Sequence, residues 1–115
     1  MYTIEELQPL IIEWAKNKDL VKIENAFKQA SKTQEELDEM KIHIYMKKHG
    51  VETYTKNNET VIVADAIKDD IGDQLVTLII QCAIQEIDLT DCLNIAWNEI
   101  KDRTGATING TFIKN

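Results

Sequence analysis

The run from Asp65 to Ile84 restricts the fold of this chain more than any other stretch, because its pattern is that of one long helix. Its first half is acidic, its second half is apolar, and we expect the helix to begin at Ala64 or Asp65 and to end near Ile87. Apolar residues recur along two sides of it: Ile67, Ile71, Leu75, Leu78 and Cys82 on one, and Val76, Ile80 and Ile84 on the other. A helix that is apolar on two sides has to be covered on two sides.

The N-terminal segment predicts a first helix from Thr3 to about Lys18. Thr3 and Glu6 have the spacing of a capping box, in which each residue satisfies a backbone N–H of the first turn. Pro9 falls inside the helical pattern and conflicts with it. Either the helix is kinked at Pro9, or it begins near Gln8 with Pro9 at its first position, and we prefer the second interpretation.

Two more helices complete the predicted set. The second runs from about Ile23 to His49, with Gly50 as its C-terminal cap. The fourth begins after a capping signal at Asp88 and ends before Gly105.

Two segments lack helical periodicity. Between the second and third helices, β-branched and aromatic residues flank the pair Asn57-Asn58, a pattern that favours a short two-stranded hairpin. The tail from Thr104 onward is expected to wrap over the helices or over a neighbouring chain. The predicted fold is therefore all-α: a single domain over residues 1–115, built as a bundle of four to five helices, with room for one small β-hairpin between the two central helices.

Composition narrows the class of protein. Only 4 Gly and 1 Pro in 115 residues favour long helices over many turns. A net charge of -7 disfavours general binding to a nucleic-acid backbone. Cys82 and Cys92 have neither zinc-site nor disulfide-framework spacing and are expected to be reduced core residues. No apolar run is long enough for a membrane span, and the acidic N-terminus lacks a signal pattern, so we expect a cytoplasmic protein.

Pairs of acids occur at the same spacing on the two central helices. Asp70 and Asp73 are separated by one turn, as are Glu36 and Glu39, so each pair points from one helix face. If the helices are antiparallel, the pairs come within about two turns of the same level. Facing pairs would form an all-oxygen cage suited to Mg²⁺, with Mn²⁺ as a second choice. The alternative is a solvated surface on which the acids diverge and form weak helix ion pairs.

The motif residues resemble a known family. The pattern is Gln29-x-x-Lys32-x-x-Glu35-Glu36-x-x-Glu39, then Asp69-Asp70-Ile-Gly-Asp73, then Trp97-Asn98-x-x-Lys101-x-Arg103. It is similar to the MazG-like nucleoside triphosphate pyrophosphohydrolases, especially their small, phage-type members. That family has an ExxE motif on one helix and an ExxD motif on the next. Glu36 and Glu39 match the first motif and Asp73 matches the second, but Asp70 replaces the usual glutamate and shortens one ligand by a methylene.

The resemblance implies Mg²⁺-dependent cleavage of a nucleoside triphosphate into the monophosphate and pyrophosphate. The implied metal ligands are Glu36, Glu39, Asp70 and Asp73, and the implied catalytic residues are Glu35, Glu36 and Lys32. The implied substrate contacts are Gln29, Lys32, Asn98, Lys101 and Arg103. For Lys101 and Arg103, an equal alternative is that they complement the dipole at a helix C-terminus. Trp14 and Trp97 are at core spacing, which favours packing over stacking on a base.

The two-sided third helix also predicts assembly. The other helices of so small a domain can cover one side well, so we expect the stripe of Val76, Ile80 and Ile84 to be buried against a second chain. The resemblance likewise implies a homodimer or homotetramer. Two other functions remain open: a catalytically weak nucleotide-binding module, and a structural helical bundle that binds a protein partner. Neither a membrane nor a nucleic acid is an expected partner.

Overall fold

The computed structural model describes residues 1–115 as four α-helices, one short 3₁₀ turn and two β-hairpins. In chain order the elements are α1 (Ile4–Asn17), the 3₁₀ turn (Ile23–Asn25), α2 (Ala26–Lys48), β1 (Thr53–Lys56), β2 (Glu59–Ile62), α3 (Val63–Ile84), α4 (Leu89–Ile100), β3 (Gly105–Ile108) and β4 (Thr111–Lys114). No helix in the structure combines the length and the apolar character that crossing a membrane requires.

The expectation of an all-α fold is wrong, because two antiparallel hairpins accompany the helices. In the first hairpin β1 pairs with β2 around Asn57-Asn58, where φ is 52° and 64°. In the second, which the sequence analysis did not anticipate, β3 pairs with β4 around Asn109-Gly110, where φ is 50° and 81°. Two consecutive residues with positive φ form the turn that matches the twist of paired strands. Asn and Gly adopt that conformation at low cost, so each dipeptide directs the chain into a hairpin.

Helix α1 begins at Ile4, and the preferred start near Gln8 is therefore wrong. The capping box is confirmed: the Glu6 backbone N–H donates to Thr3 Oγ1 at 3.2 Å, and the Thr3 N–H donates to Glu6 Oε1 at 3.1 Å. The hydrogen bonds that the Thr3 backbone N–H and the Thr3 hydroxyl donate to Glu6 Oε1 lower the pKa of the Glu6 carboxyl. Pro9 lies inside the helix at an exposed position, where water can replace the backbone hydrogen bond that proline cannot donate.

Other helix ends follow the predicted caps. At the end of α2, Gly50 has a φ of 77°, and the Val51 N–H donates to the Met46 carbonyl at 2.9 Å. This is the Schellman arrangement, which uses carbonyls that the last helical turn leaves free. At the start of α4, the Thr90 N–H donates to Asp88 Oδ1 at 2.7 Å. Both caps are local features, and the structure confirms both.

The antiparallel pair α2 and α3 is the main packing unit. Polar contacts connect the two helices at successive levels: Gln81 Nε2 to the Ala26 carbonyl at 2.8 Å, Thr33 Oγ1 to Thr77 Oγ1 at 2.8 Å, and His43 Nδ1 to Asp70 Oδ2 at 2.6 Å. Residue numbers rise along α2 as they fall along α3, so the helices run in opposite directions. This pairing brings the two sets of acids to the same level.

The apolar core lies where α1 crosses α3. It centres on Ala15, Ile80 and Ile84, with Val76 packed against them. The expectation that Val76, Ile80 and Ile84 await a second chain is therefore wrong, since α1 covers them. The opposite stripe of α3, at Ile71, Leu75 and Leu78, is the exposed one.

Candidate functional site

A cleft of about 460 Å³ opens between α2 and α3, with α1 along one wall. Its lining residues are Trp14, Leu20, Asn25, Lys28, Gln29, Lys32, Glu36, Asp73, Val76, Thr77 and Ile80. Lys28, Lys32 and Glu36 reach it from α2 because a spacing of four residues keeps side chains on one helix face. Asp73 reaches it from α3. The cleft thus has carboxylates at its acidic end with the Lys32 ammonium group beside them, and Lys28 and apolar residues in the rest of its lining.

Glu36 is buried, although a carboxylate is costly to bury without full pairing. Its Oε1 lies 3.4 Å from Lys32 Nζ, whereas its Oε2 is buried and has no hydrogen-bond partner. Lys32 Nζ also lies 3.2 Å from Glu35 Oε2. Hydrogen bonds to Glu35 and then to Glu36 raise the pKa of Lys32, so its positive charge is secure at neutral pH. One oxygen of the buried acid nevertheless remains without a donor.

Asp73 is a second acid whose negative charge is costly in this cleft. Burial raises the pKa of the Asp73 carboxyl, and the negative charges of four nearby acids raise it further: Asp69, Glu36, Asp70 and Glu39, in decreasing order of effect. Acids from both predicted pairs therefore act on one carboxyl group. The acidic end of the cleft holds more negative charge than its lysines compensate.

Asp70 is buried and is held by a chain of hydrogen bonds. His43 Nδ1 lies 2.6 Å from Asp70 Oδ2, and His43 Nε2 lies 2.7 Å from the Tyr54 hydroxyl. A neutral imidazole satisfies both contacts when its Nδ1–H donates to the carboxylate and its Nε2 accepts the tyrosine proton. The chain thus links α3, α2 and β1, and it fixes the direction of the Asp70 carboxyl group.

Gln29 is a buried residue in the lining of the cleft. Its Nε2 donates to the Thr77 carbonyl at 3.3 Å. Thr77 Oγ1 in turn donates to the Gln74 carbonyl at 2.7 Å. Gln29 therefore joins α2 to α3, and its amide nitrogen is already used by the protein.

The structure brings together most, but not all, of the predicted site residues. Gln29, Lys32, Glu36 and Asp73 line the cleft, while Glu35, Glu39 and Asp70 lie beside it. Asn98, Lys101 and Arg103 are exposed on α4 and just after it, outside the lining of the cleft.

Sequence reasoning missed three participants. Lys28 had a usable signal, since it precedes Lys32 by one helical turn. Asn25, at the start of α2, and Tyr54, in the first hairpin, had none, because only the fold brings them near α3. Trp14, for which packing was the favoured role, lines the cleft with 52% of its surface exposed.

The acidic end of the cleft, at Glu36 and Asp73, offers the kind of donor atoms that a hard cation such as Mg²⁺ binds. Its donors are carboxylate oxygens. One of them, on Glu36, is buried without a partner, and another belongs to Asp73, whose pKa is raised by burial and by neighbouring negative charge. A divalent cation would relieve both features, and oxygen donors are those that Mg²⁺ prefers. No three acid, histidine or cysteine side chains converge on one point as the protein stands. Bound metal would thus require these side chains to change conformation.

The chain was compared with models of protein families, with curated proteins and with solved structures, and no match was found in any of the three.

Proposed function

We propose that this protein is a Mg²⁺-dependent pyrophosphohydrolase that converts a nucleoside triphosphate and water into the monophosphate and pyrophosphate. The observation that carries the proposal is the acidic pair Glu36 and Asp73, whose charge Lys32 compensates only in part, in one cleft with Lys28 and Lys32. Carboxylates that hold a cation, next to ammonium groups that bind phosphate, are what hydrolysis of a phosphoric anhydride needs. The resemblance of the motif residues to the MazG-like hydrolases supports the same reaction and the choice of bond.

Glu36 and Asp73 would hold Mg²⁺ from opposite helices, with Glu39 and Asp70 beside them. Mn²⁺ satisfies the same oxygen donors. The ion would supply neutralisation of phosphate charge and acidification of a bound water. The contact between His43 and Asp70 would fix the orientation of the Asp70 carboxylate. Residues that hydrogen-bond to a metal ligand commonly orient it in this way.

The cleft residues have separate roles in binding the substrate. Lys32 lies next to the acids, and Lys28 lines the same cleft one helical turn further along α2. Both would contact the phosphate oxygens, where fixed positive charge stabilises the leaving pyrophosphate. Glu35, exposed and within 3.2 Å of Lys32 Nζ, would hold that ammonium in place and can accept a proton from water. The half-exposed indole of Trp14 offers a flat apolar surface for the base. Asn98, Lys101 and Arg103 lie outside the cleft, so we assign the phosphate contacts to Lys28 and Lys32.

Product analysis tests this proposal directly. A panel of ribonucleoside and deoxyribonucleoside triphosphates, incubated with the protein and Mg²⁺, should yield pyrophosphate and the monophosphate from at least one member. Loss of a group behind a metal ligand typically costs about 10- to 100-fold in activity, so Glu36→Gln, which removes a charged ligand itself, should lower the rate by about 100-fold or more. Asp38→Asn is the matched control, since Asp38 lies exposed on the same helix, outside the cleft, and its loss should leave the rate unchanged.

Two results would overturn the proposal. Release of orthophosphate with the diphosphate would identify a different class of hydrolase. A wild-type rate that equals that of Glu36→Gln for every triphosphate would show that the acidic cleft does not catalyse the reaction.

Nucleotide binding without turnover is the second candidate. It is favoured by one observation: Asp70, the shortened residue of the second motif, is already engaged by His43. Calorimetry would then show Mg²⁺-dependent binding of a triphosphate that remains intact after prolonged incubation.

A further inference from the structure

We propose that Lys32 is an internal counter-ion of the acidic end, which a divalent cation displaces from Glu36 and which then becomes a phosphate ligand. Binding of metal and binding of phosphate are thus coupled through one side chain. The inference rests on the cation site of the proposed function and adds an order to the two binding events. It requires no hydrolysis, so binding measurements test it separately.

Lys32 is the only lysine that pairs with an acid of the cleft. Its Nζ lies 3.2 Å from Glu35 Oε2 and 3.4 Å from Glu36 Oε1, so one ammonium group bridges two carboxylates of its own helix. An ammonium held between two carboxylates is drawn toward them and away from an anion in the cleft. The group assigned to phosphate is therefore engaged by acids as the protein stands.

The pairing of Glu36 with Lys32 is one-sided. Oε1 of Glu36 faces the ammonium, whereas Oε2 is buried and has no donor. A buried carboxylate that is only partly paired is costly, and a divalent cation brings twice the charge of an ammonium. Lys32 thus leaves part of the Glu36 charge unmet, which a divalent cation satisfies better.

The ammonium and a divalent cation compete at this end of the cleft. Glu36 and Asp73 line it together, and burial and neighbouring acids raise the pKa of the Asp73 carboxyl. A divalent cation neutralises these two carboxylates, which leaves the charge of Lys32 in surplus. Like charges that share one carboxylate repel each other strongly where little water screens them. Metal on Glu36 therefore drives Lys32 away from it.

Lys32 can leave Glu36 without any change in the helices. Its side chain is 55% exposed and carries the ammonium on a flexible four-carbon stem. Glu35 is 67% exposed and remains a partner that keeps the ammonium near the cleft. Surplus positive charge at this position is what an incoming phosphate needs. Because coupling between two binding events is reciprocal, phosphate on Lys32 in turn favours metal on Glu36.

Calorimetric titration with Mg²⁺ alone tests the displacement. Lys32→Met should bind Mg²⁺ at least about 5-fold more tightly than the wild type, because the competing cation is gone and coupling between sites is usually of this size or larger. Lys32→Arg retains the charge and should keep the wild-type affinity. Lys28→Met is the matched control, since it removes the same charge one turn away from a lysine without an ion pair. Salt screens such a charge, so the affinity should change less than about 2-fold.

Three results would overturn the inference: a wild-type chain that binds no Mg²⁺, a Lys32→Met variant that binds it no more tightly, and equal gains from Lys32→Met and Lys28→Met. The last would show a general effect of charge. Failure of the proposed function looks different. Tighter Mg²⁺ binding by Lys32→Met alone, in a chain that cleaves no triphosphate, supports the displacement and removes the hydrolase.

Lysine labelling of the wild-type chain is independent of any substitution. A brief pulse of acetic anhydride, followed by mass spectrometry, should modify Lys32 more slowly than Lys41 in the presence of a chelator. In saturating Mg²⁺, Lys32 should react at a rate close to that of Lys41, because it has been released from Glu36. Lys41 is the reference, since it is exposed on the same helix and has no ion pair. A Lys32 rate that Mg²⁺ leaves unchanged would show that the ammonium stays on Glu36 and would refute the displacement.

Discussion

Asp73 carries a carboxyl group whose ionisation the fold opposes. Burial and the neighbouring acids raise its pKa above the ordinary value of 3.8. The native chain therefore keeps this proton at pH values where the unfolded chain has lost it. It follows that the contribution of Asp73 to the free energy of unfolding falls as the pH rises from about 3.8 through the raised pKa.

Asp73→Asn should remove this pH dependence. Without divalent metal, the variant should have a higher free energy of unfolding than the wild type at pH 7, and the difference should vanish near about pH 3. Urea denaturation across this range in the presence of a chelator measures it. Asp65→Asn, an exposed acid in the first turn of α3, should show no such pattern. A wild-type chain that is more stable than Asp73→Asn at pH 7 in chelator would contradict the explanation.

Tyr54 makes the one side-chain hydrogen bond that ties the first hairpin to the site. Its hydroxyl lies 2.7 Å from His43 Nε2, and Tyr54→Phe would leave that part-buried nitrogen unpaired. We expect a loss of about 1 to 2 kcal/mol in the free energy of unfolding. Tyr45→Phe is the control, because Tyr45 is 65% exposed and its hydroxyl makes no hydrogen bond within the chain, so that change should be nearly neutral. Equal effects of the two substitutions would mean that the hydrogen bond contributes nothing.

At the scale of the elements, two glycines allow a matched test of helix structure. Gly50 caps α2 with a φ of 77°, whereas Gly72 lies within α3, and neither has an atom within 4 Å of an added Cβ. Gly50→Ala should lower the free energy of unfolding by about 1 to 2 kcal/mol, because a left-handed conformation is strained once a Cβ is present. Gly72→Ala should raise it by about 0.5 to 1 kcal/mol, because alanine favours the helix. Thermal denaturation that shifts both variants in the same direction would refute this account.

Caps and turns are the features of this chain that its sequence predicts best. The sequence predicts the capping box at Thr3, the glycine cap at Gly50 and the turn at Asn57-Asn58, because each depends on contacts within a few residues. The hairpin at Asn109-Gly110 had an equally good local signal, and the expectation of an all-α fold overlooked it. Asn-Gly between β-branched residues favours a hairpin on physical grounds, so this turn too is determined locally.

For the molecule as a whole, stability depends on a small core. Ile80 is 3% exposed and packs with Ala15 and Ile84 where α1 meets α3. Ile80→Ala should therefore lower the free energy of unfolding by about 2 to 5 kcal/mol, which is a large part of what a domain of this size has. Ile42→Ala is the control, since Ile42 is 56% exposed and its truncation should cost less than about 0.5 kcal/mol. Chemical denaturation measures both, and similar losses would place the core elsewhere.

The sequence by itself determined the helices, most of their ends, the first hairpin and the pairing of acids at one-turn spacing. These follow from backbone hydrogen bonds and side-chain periods that span a few residues. Only the tertiary structure decided which apolar stripe of α3 lies inside, because periodicity shows that a stripe is apolar but not which element covers it. Helix α1 covers Ile80 and leaves Leu75 exposed. Likewise, the contact of His43 with Asp70 and the separation of Lys101 from the cleft depend on how whole helices pack, which no local pattern records.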